Sequence, residues 1–278
     1  MTAIDQSTTA ELLAFALELA DAADLVTMRH YRGGGEAWRK HDGSLVTLAD
    51  TETESMLRAR IAARFPDHRI LGEEEGLTPP AMPLEPIDSG ADESAPPQWV
   101  LDPVDGTHNF ARGIPIWATL VACERDGRVE VGVVSAPAMG TRWWAARSLG
   151  AHRRDALTGI EETIHVSNRS VLADAQVLYG SYTLTLGSWG GRAEELLRGS
   201  WRQRGFGDFW QHCLVAEGAA EVALEGEIKP WDIAAVQVIV EEAGGRLTGI
   251  DGVSRIDAGH SITTNGTLHE LVLRTLRG

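Results

Sequence analysis

Three apolar strands follow one another between Thr119 and Ala146, and a fourth precedes them at Trp99–Leu101; this run limits the fold more than any other stretch. Trp99–Leu101 reads as a short buried strand that delivers Asp102 at its end. Thr119–Glu124, Val129–Ser135 and Arg142–Ala146 follow, with Asp126-Gly127 supplying the tight turn between the first two of them. Parallel neighbours need a crossover of a dozen or more residues, and these strands have no such spacing, so the stretch is a run of sheet rather than alternating βαβ units.

Around this run the pattern is mixed. Thr9–His30 is an amphipathic helix with Leu12, Leu13, Phe15, Ala16, Leu19 and Ala23 on one broad face, ended by Gly33-Gly34-Gly35. A second helix is expected from Asp50 to Ala63, closed by Phe65-Pro66, with a short strand Arg69–Leu71 after it. Leu77–Gln98 holds six of the 11 prolines among acidic and small residues, and is expected to be an irregular loop with room for a lid role. Beyond residue 150, strands near Val177 and Val222 alternate with helices near Glu194, at Asp208–Glu217 and at Trp231–Ala243; Gly266–Leu276 reads as a final helix. This change of rhythm divides the chain into an N-terminal α+β half, 1–150, and a C-terminal α/β half, 151–278.

The 40 acidic side chains outnumber the 25 basic ones, for a formal charge of −15. Such a surface repels a nucleic-acid backbone, so no nucleic-acid partner is expected. An anionic substrate would need bound cations to invert the local potential, and surplus carboxylates would hold them. Cys123 and Cys213 stand alone in apolar settings, which reads as two reduced thiols in a cytoplasmic protein rather than a disulfide or a cysteine zinc site. No apolar run reaches the roughly 18 to 20 residues that span a bilayer. Met1–Ala10 lacks the basic flank and apolar core of a secretory signal, so no membrane partner is expected either.

The segment richest in chemistry is Asp102-Pro103-Val104-Asp105-Gly106-Thr107. Two carboxylates three residues apart follow a strand, and the proline and glycine turn the chain so that both can converge on one point. Magnesium prefers oxygen ligands, commonly takes one or two carboxylates and keeps several waters. Gly106 and Thr107 present backbone N–H groups where a helix can begin, a ready phosphate cradle. Taken alone, this pattern is equally a turn whose aspartate caps the next helix. Glu73-Glu74-Glu75 repel one another unless a cation relieves them or the loop is simply solvated. Asp50 and Asp232 each sit at the start of a helix and read singly as caps. His41, His108 and His212 form no H-x-H or H-x-x-x-H pair, which argues against zinc.

In their order along the chain, Gly72-Glu73-Glu74, Asp102-Pro-Val-Asp-Gly-Thr, Trp231-Asp-Ile-Ala-Ala and Glu242-Ala-Gly-Gly resemble the inositol-monophosphatase family of lithium-sensitive phosphatases. The resemblance extends from Lys40 through Asp50 to Gly245. It implies an α+β fold, the layered αβαβα sandwich of the fructose-bisphosphatase type, usually as a homodimer. It implies a magnesium-dependent phosphate-monoester hydrolase using two to three ions. Glu73, Asp102 and the Val104 carbonyl would hold one ion, Asp102, Asp105 and Asp232 a second, and a weaker third would sit near Glu73. Asp50 and Thr107 match the pair that positions and polarises the attacking water, together with Glu73, and the Gly106 and Thr107 amides would help hold the phosphate. Lys40-His41-Asp42-Gly43-Ser44 departs from the animal inositol phosphatases by one residue, so no role for Lys40 is carried over.

Three further stretches resemble the actinobacterial histidinol-phosphate phosphatases of that family: Gly132-Val-Val-Ser-Ala-Pro-Ala with Arg142-Trp-Trp-Ala-Ala-Arg, Trp201-Arg-Gln-Arg-Gly-Phe-Gly-Asp, and Cys213-Leu-Val-Ala-Glu-Gly. Asp208, before the helix that carries Cys213, and Glu225, seven positions before Asp232, match the family's specificity positions. A carboxylate at a substrate mouth suits a cationic leaving group. Histidinol phosphate carries an amine and an imidazole, so the resemblance implies it as the small phosphorylated metabolite, bound by Asp105, Asp208 and Glu225. Trp117, Phe206 or Trp210 would face the imidazole unless they pack in the core. Two readings stay open on the same residues: an inositol-1-phosphate or broader sugar or nucleotide phosphatase, with Glu225 accepting from hydroxyls, and a non-catalytic metal-binding protein.

Overall fold

The strand run forms the middle of an eight-stranded sheet. A computed structural model gives this architecture and describes residues 8–32, 37–41, 43–81 and 96–278. The sheet order is β10 (Ile160–Thr163), β9 (Gly150–Asp155), β8 (Thr141–Ala146), β7 (Arg128–Ala136), β6 (Ala118–Arg125), β5 (Gln98–Asp105), β3 (Arg69–Gly72) and β4 (Gly76–Thr78). Only β3 and β5 are parallel, and the stretch between them contains the residues that carry the chain across; all other neighbours are antiparallel.

Helices α1 (Thr9–His30) and α2 (Leu48–Arg64) cover one face of this sheet. Leu12, Ala16, Leu19, Ala20 and Ala23 of α1 meet Leu57 and Ile61 of α2 over Trp99, Val121 and Val131. Thr8 caps α1 through a reciprocal pair with Glu11: the Glu11 N–H donates to Thr8 Oγ1 at 3.2 Å, and the Thr8 N–H to Glu11 Oε2 at 2.7 Å. Arg142 on β8 fastens α1 to the sheet, with its guanidinium 2.7 Å from both Asp21 and Asp24 and 3.0 Å from Ser135 Oγ. Burial raises the Asp24 carboxyl pKa even so, with Arg142 opposing it.

The other face packs against α6 (Asp208–Ala216) and α7 (Pro230–Glu242), which separate it from a five-stranded sheet. That second sheet runs β12 (Arg202–Arg204), β11 (Gln176–Tyr179), β13 (Val222–Glu225), β15 (Ser261–Thr264), β14 (Arg246–Thr248). Its outer face carries α4 (Tyr182–Trp189), α5 (Gly191–Gly199) and α8 (His269–Arg277). The layers are therefore αβαβα, as the sequence resemblance implied. Lying between two sheets explains why α7 is apolar all round, with every residue from Ile233 to Val240 buried. It also explains the continuous burial of Ala118–Cys123 in β6 and Val131–Ala136 in β7, which are covered on both faces. A two-stranded ribbon, β1 (Ala37–Arg39) with β2 (Leu45–Thr47), and a short helix α3 (Thr107–Ala111) complete the described elements.

Several boundaries differ from the sequence expectation. Helix α2 begins at Leu48 rather than Asp50, because Thr47 is the capping residue and Asp50 its partner in the first turn. The strand expected to end at Leu101 continues to Asp105; Pro103 is accommodated where the register against β6 shifts, between Asp102 and Asp105. Helix α8 starts at His269, three residues later than Gly266. Within the proline-rich stretch, Gly76–Thr78 is β4 and Gln98 already belongs to β5. Residues 82–95, and with them the expected lid, lie outside the described residues, as do Gly33-Gly34-Gly35 and Asp42.

Helix α7 lies close against β7 at one glycine. A Cβ on Gly132 would come within 2.4 Å of the Ala235 carbonyl oxygen and 2.9 Å of its Cα. Backbone cannot yield as a side-chain tip can, so Gly132→Ala is expected to destabilise the protein by about 1–3 kcal/mol through overpacking. A urea-denaturation midpoint equal to that of the parent would show that α7 can lift from the sheet without penalty.

Candidate metal centre

Strand β5 and helix α7 deliver three carboxylates to one place. Asp102 sits at the start of the bulge and is 2% exposed; its Oδ1 accepts the Val104 N–H at 3.0 Å. Asp105 ends β5, and its Oδ2 accepts the Phe209 N–H at 2.6 Å, tying the strand end to the first turn of α6. Asp232 lies in the first turn of α7 behind Pro230, and its Oδ2 accepts the Lys229 N–H at 2.7 Å. Each of the three offers an oxygen within 4.8 Å of the others.

So many acids in one buried place hold one another back from ionising. Burial is the largest influence on Asp102 and drives its pKa well up, with Glu73, Asp105, Asp232 and Asp50 adding to it. Asp105 is raised likewise by burial, then by Asp208 and Asp232. Burial, with Glu73 and Asp208, pushes Asp232 up to about 7. Buried carboxylates ionise together only when a cation pairs with them. The donors are all hard oxygens, with no sulfur or imidazole among the three, which suits magnesium rather than zinc or copper.

Glu73 stands apart from that trio. Its N–H reaches the Leu101 carbonyl at 3.3 Å, which sets the residue beside β5. Lys40 Nζ lies 3.1 Å from Glu73 Oε1 and 2.7 Å from Glu74 Oε1, which gives Lys40 the place the sequence could not assign. Burial and then Glu73 push Glu74 up to about 7, against the Lys40 hydrogen bond.

Asp50 and Thr107 are brought face to face. Asp50 Oδ2 accepts the Thr47 N–H at 2.8 Å and the Thr47 hydroxyl at 2.5 Å, so the residue caps α2. Its other oxygen, Oδ1, lies 3.3 Å from Thr107 Oγ1. Thr107 Oγ1 is also 3.0 Å from the Val104 carbonyl, and the hydroxyl has one proton for these two acceptors. Burial pushes Asp50 up to about 6. Gly106, at φ 84°, opens α3, and a Cβ there would meet the Ile116 carbonyl at 3.0 Å.

Asp208 and Glu225 border this cluster. Asp208 follows Gly207 (φ 72°) and itself has φ 50°, the left-handed region that few side chains adopt. Its Oδ2 accepts Asn109 Nδ2 at 3.1 Å, and the same amide reaches the Ile116 carbonyl at 2.9 Å. Glu225 ends β13 and accepts a hydrogen bond from Gln211 Nε2. Burial pushes Asp208 up to about 6; burial, then Asp208 and Asp232, push Glu225 up to about 8.

Of the three aromatics weighed for an imidazole, Trp117 is a core residue. It is 0% exposed, with its ring 4.9 Å from Phe110 and 5.2 Å from Tyr31. Phe206 and Trp210 flank Asp208 in sequence and pack 4.8 Å from each other, both only partly buried. His108 is exposed, whereas His212 is buried against Thr263 Oγ1 at 2.8 Å and held neutral, its pKa pushed down to about 3 by burial.

Four residues at the site escaped the sequence reading. Glu54 and Arg58 follow Asp50 at successive four-residue steps, so they share its helix face, and this spacing was a usable signal. Asn109 and Gln211 carried none, because Asn109 meets its partner Asp208 across 99 positions of chain and Gln211 meets Glu225 only through the packing of α6 on β13.

The family model for the inositol monophosphatase family matches residues 8–278. The histidinol-phosphatase of Mycobacterium tuberculosis is 41% identical over 95% of this chain and 97% of its own length. That of Streptomyces coelicolor is 38% identical over 94% of this chain and 95% of its own. Among solved structures, the inositol monophosphatase from Zymomonas mobilis superposes with a TM-score of 0.81 at 25% identity, covering 98% of this chain and all of that one. The Thermotoga maritima IMPase gives 0.78 at 28% identity over 96% and 97% of the two chains. With the family model spanning residues 8–278 and relatives at 41% and 38% identity over nearly the whole chain, the chain belongs to the inositol monophosphatase family.

Proposed function

We propose that this phosphate-monoester hydrolase cleaves histidinol phosphate to histidinol and phosphate with the help of magnesium. The observation that carries the reading is the convergence of Asp102, Asp105 and Asp232 beside the Asp50–Thr107 pair. Asp102, Asp105 and Asp232 would hold one ion; Glu73, Asp102 and the Val104 carbonyl would hold another, with a third near Glu73. When bound, magnesium supplies the positive charge that acidifies the attacking water and offsets charge developing on the leaving oxygen.

The protein's own groups orient the reactants. Once the Val104 carbonyl is engaged elsewhere, the single Thr107 proton goes to Asp50 Oδ1, and the hydroxyl oxygen is left to accept from the attacking water. Asp50 is itself fixed by two hydrogen bonds from Thr47, so this water-binding pair is rigid. The Gly106 and Thr107 amides are assigned to the phosphate oxygens.

Asp208 and Glu225 are assigned to the leaving group. Both are pushed up by burial, and an incoming ammonium would let them ionise, whereas a neutral polyol offers no such compensation. Similarity to histidinol-phosphatases of two actinobacteria supports the same substrate. The family resemblance also supports a cytoplasmic homodimer as the working form.

Three outcomes are expected. With magnesium, phosphate release should be fastest from histidinol phosphate in a panel that includes inositol 1-phosphate, fructose 1,6-bisphosphate and adenosine 3′,5′-bisphosphate. In that assay Asp102→Asn should lose more than the roughly 100-fold typical of groups that merely support a ligand, with its circular dichroism unchanged; near-normal turnover would remove Asp102 from the metal site. Asp208→Ala should raise KM for histidinol phosphate by about 10- to 100-fold, the worth of a charge-assisted hydrogen bond. It should leave an ester with a neutral leaving group little affected, and equal losses on both would refute cation recognition.

A fourth outcome concerns pH. Asp50 and Asp208 at about 6, Asp232 at about 7 and Glu225 at about 8 all lie above ordinary carboxylates. Above about pH 4 the metal-free folded chain therefore holds protons that the unfolded chain has already released, and the stability this gives is lost as pH rises from there through about 6 to 8. The Tm of metal-free protein should fall over that window, and saturating magnesium should offset the fall. A flat metal-free profile would contradict the burial of these acids.

A further inference from the structure

Beneath the Glu73–Glu75 turn lies a charged pair with no part in the chemistry described so far. Glu54 is 0% exposed, one helical turn beyond Asp50 on α2. Its carboxylate accepts the Glu74 N–H at 2.8 Å and the Glu75 N–H at 2.9 Å. Arg58, one turn further and 7% exposed, donates from Nε to Glu54 Oε1 at 2.8 Å. The rest of its guanidinium reaches across the turn to the Gly76 carbonyl at 2.6 Å and Thr78 Oγ1 at 2.8 Å. Gly72 completes the fit: a Cβ there would lie 2.3 Å from Glu54 Oε1, so the carboxylate is seated directly against the chain.

Stability alone does not account for this arrangement. A buried ion pair is often no better than apolar side chains of the same volume. Here the buried carboxylate also sits among Glu73, Glu74 and Glu75, whose charges oppose it. The arrangement does bring two functional segments into one rigid unit. Asp50, Glu54 and Arg58 occupy one face of α2, and through Glu54 and Arg58 that face holds both sides of the turn that carries Glu73.

We propose that the Glu54–Arg58 pair is a positioning clamp that holds the Glu73–Glu75 turn in the shape that binds magnesium. It rests on the reading of Glu73 as a ligand. Neither clamp residue touches substrate or metal. Their effect passes through two backbone amides and one carbonyl of the turn, as outer groups commonly orient the ligands of a metal.

Glu54→Gln preserves size but replaces one acceptor oxygen with a donor that faces N–H groups. Magnesium binding to the substrate-free protein, measured by isothermal titration calorimetry, should weaken by about 10- to 100-fold. At saturating magnesium, kcat and KM should stay within about threefold of the parent, because the chemistry itself is unaltered. Hydrogen exchange at the Glu74 and Glu75 amides should quicken. Leu276→Ala, in the distant α8 core, is the control for general destabilisation and should leave magnesium affinity unchanged.

Arg58→Lys keeps the charge but loses the fork, and should give a smaller loss of affinity in the same direction. It decides the matter if Glu54→Gln does not fold. Glu73→Gln is measured in parallel. If it binds magnesium as the parent does, the ligand reading fails and the clamp with it. If Glu73→Gln is weakened while folded Glu54→Gln, or Arg58→Lys in its place, binds within about twofold of the parent, the clamp alone is overturned.

Discussion

Like-charged carboxylates crowded into a buried place repel one another, and much of this architecture serves to hold them there. Each is anchored by a backbone amide: Val104 N–H on Asp102, Phe209 N–H on Asp105, Lys229 N–H on Asp232, Thr47 N–H on Asp50. A hydrogen bond to one oxygen of each favours the ionised form and fixes the group's direction. Burial works against ionisation at each of them. The anchoring amides come from a strand bulge, one helix start and the residues just ahead of two other helices. These are places where backbone donors are free of regular ladders.

The layering follows from where those donors must meet. The bulge of β5 and the first turns of α2, α6 and α7 converge only if α2 lies on one face of the eight-stranded sheet and α6 and α7 on the other. Helix α7 must then be covered by a second sheet, which accounts for its apolar circumference and for the close approach at Gly132. The second sheet in turn supplies Glu225 at the end of β13.

The residues proposed for the phosphate and those proposed for the leaving group are linked through very short paths. Asp105 binds the amide of Phe209, the residue after Asp208, so the acid proposed for the metal sets the first turn of the helix that carries the acid proposed for specificity. Asn109, two residues after Thr107, holds Asp208 from the opposite side. On those assignments a change of substrate preference would be tied to backbone that also supports the acidic trio, and Asp208 itself has left-handed backbone.

Much of this was legible in the chain itself. The strand run from Trp99 to Ala146, the helices at Thr9–His30 and Trp231–Ala243, and the ordered acidic motifs were all readable, because periodicity and local turn chemistry act over a few residues. Each acid read singly was as much a cap as a ligand; Asp232 is in fact both a cap and a member of the three-acid cluster, while Asp50 caps α2 and acts on Asp102 through its charge. Pairings across long separations were not readable: Lys40 with Glu73 and Glu74, Glu54 with the turn beyond it, Asn109 with Asp208. Nor could the sequence tell that Trp117 is fully buried core while Phe206 and Trp210 stay partly buried and pack on each other. Local sequence determines which residues can turn, cap or carry charge. Which of them share one low-dielectric space is decided only when the layers pack, because burial and neighbouring charge are properties of the assembled interior.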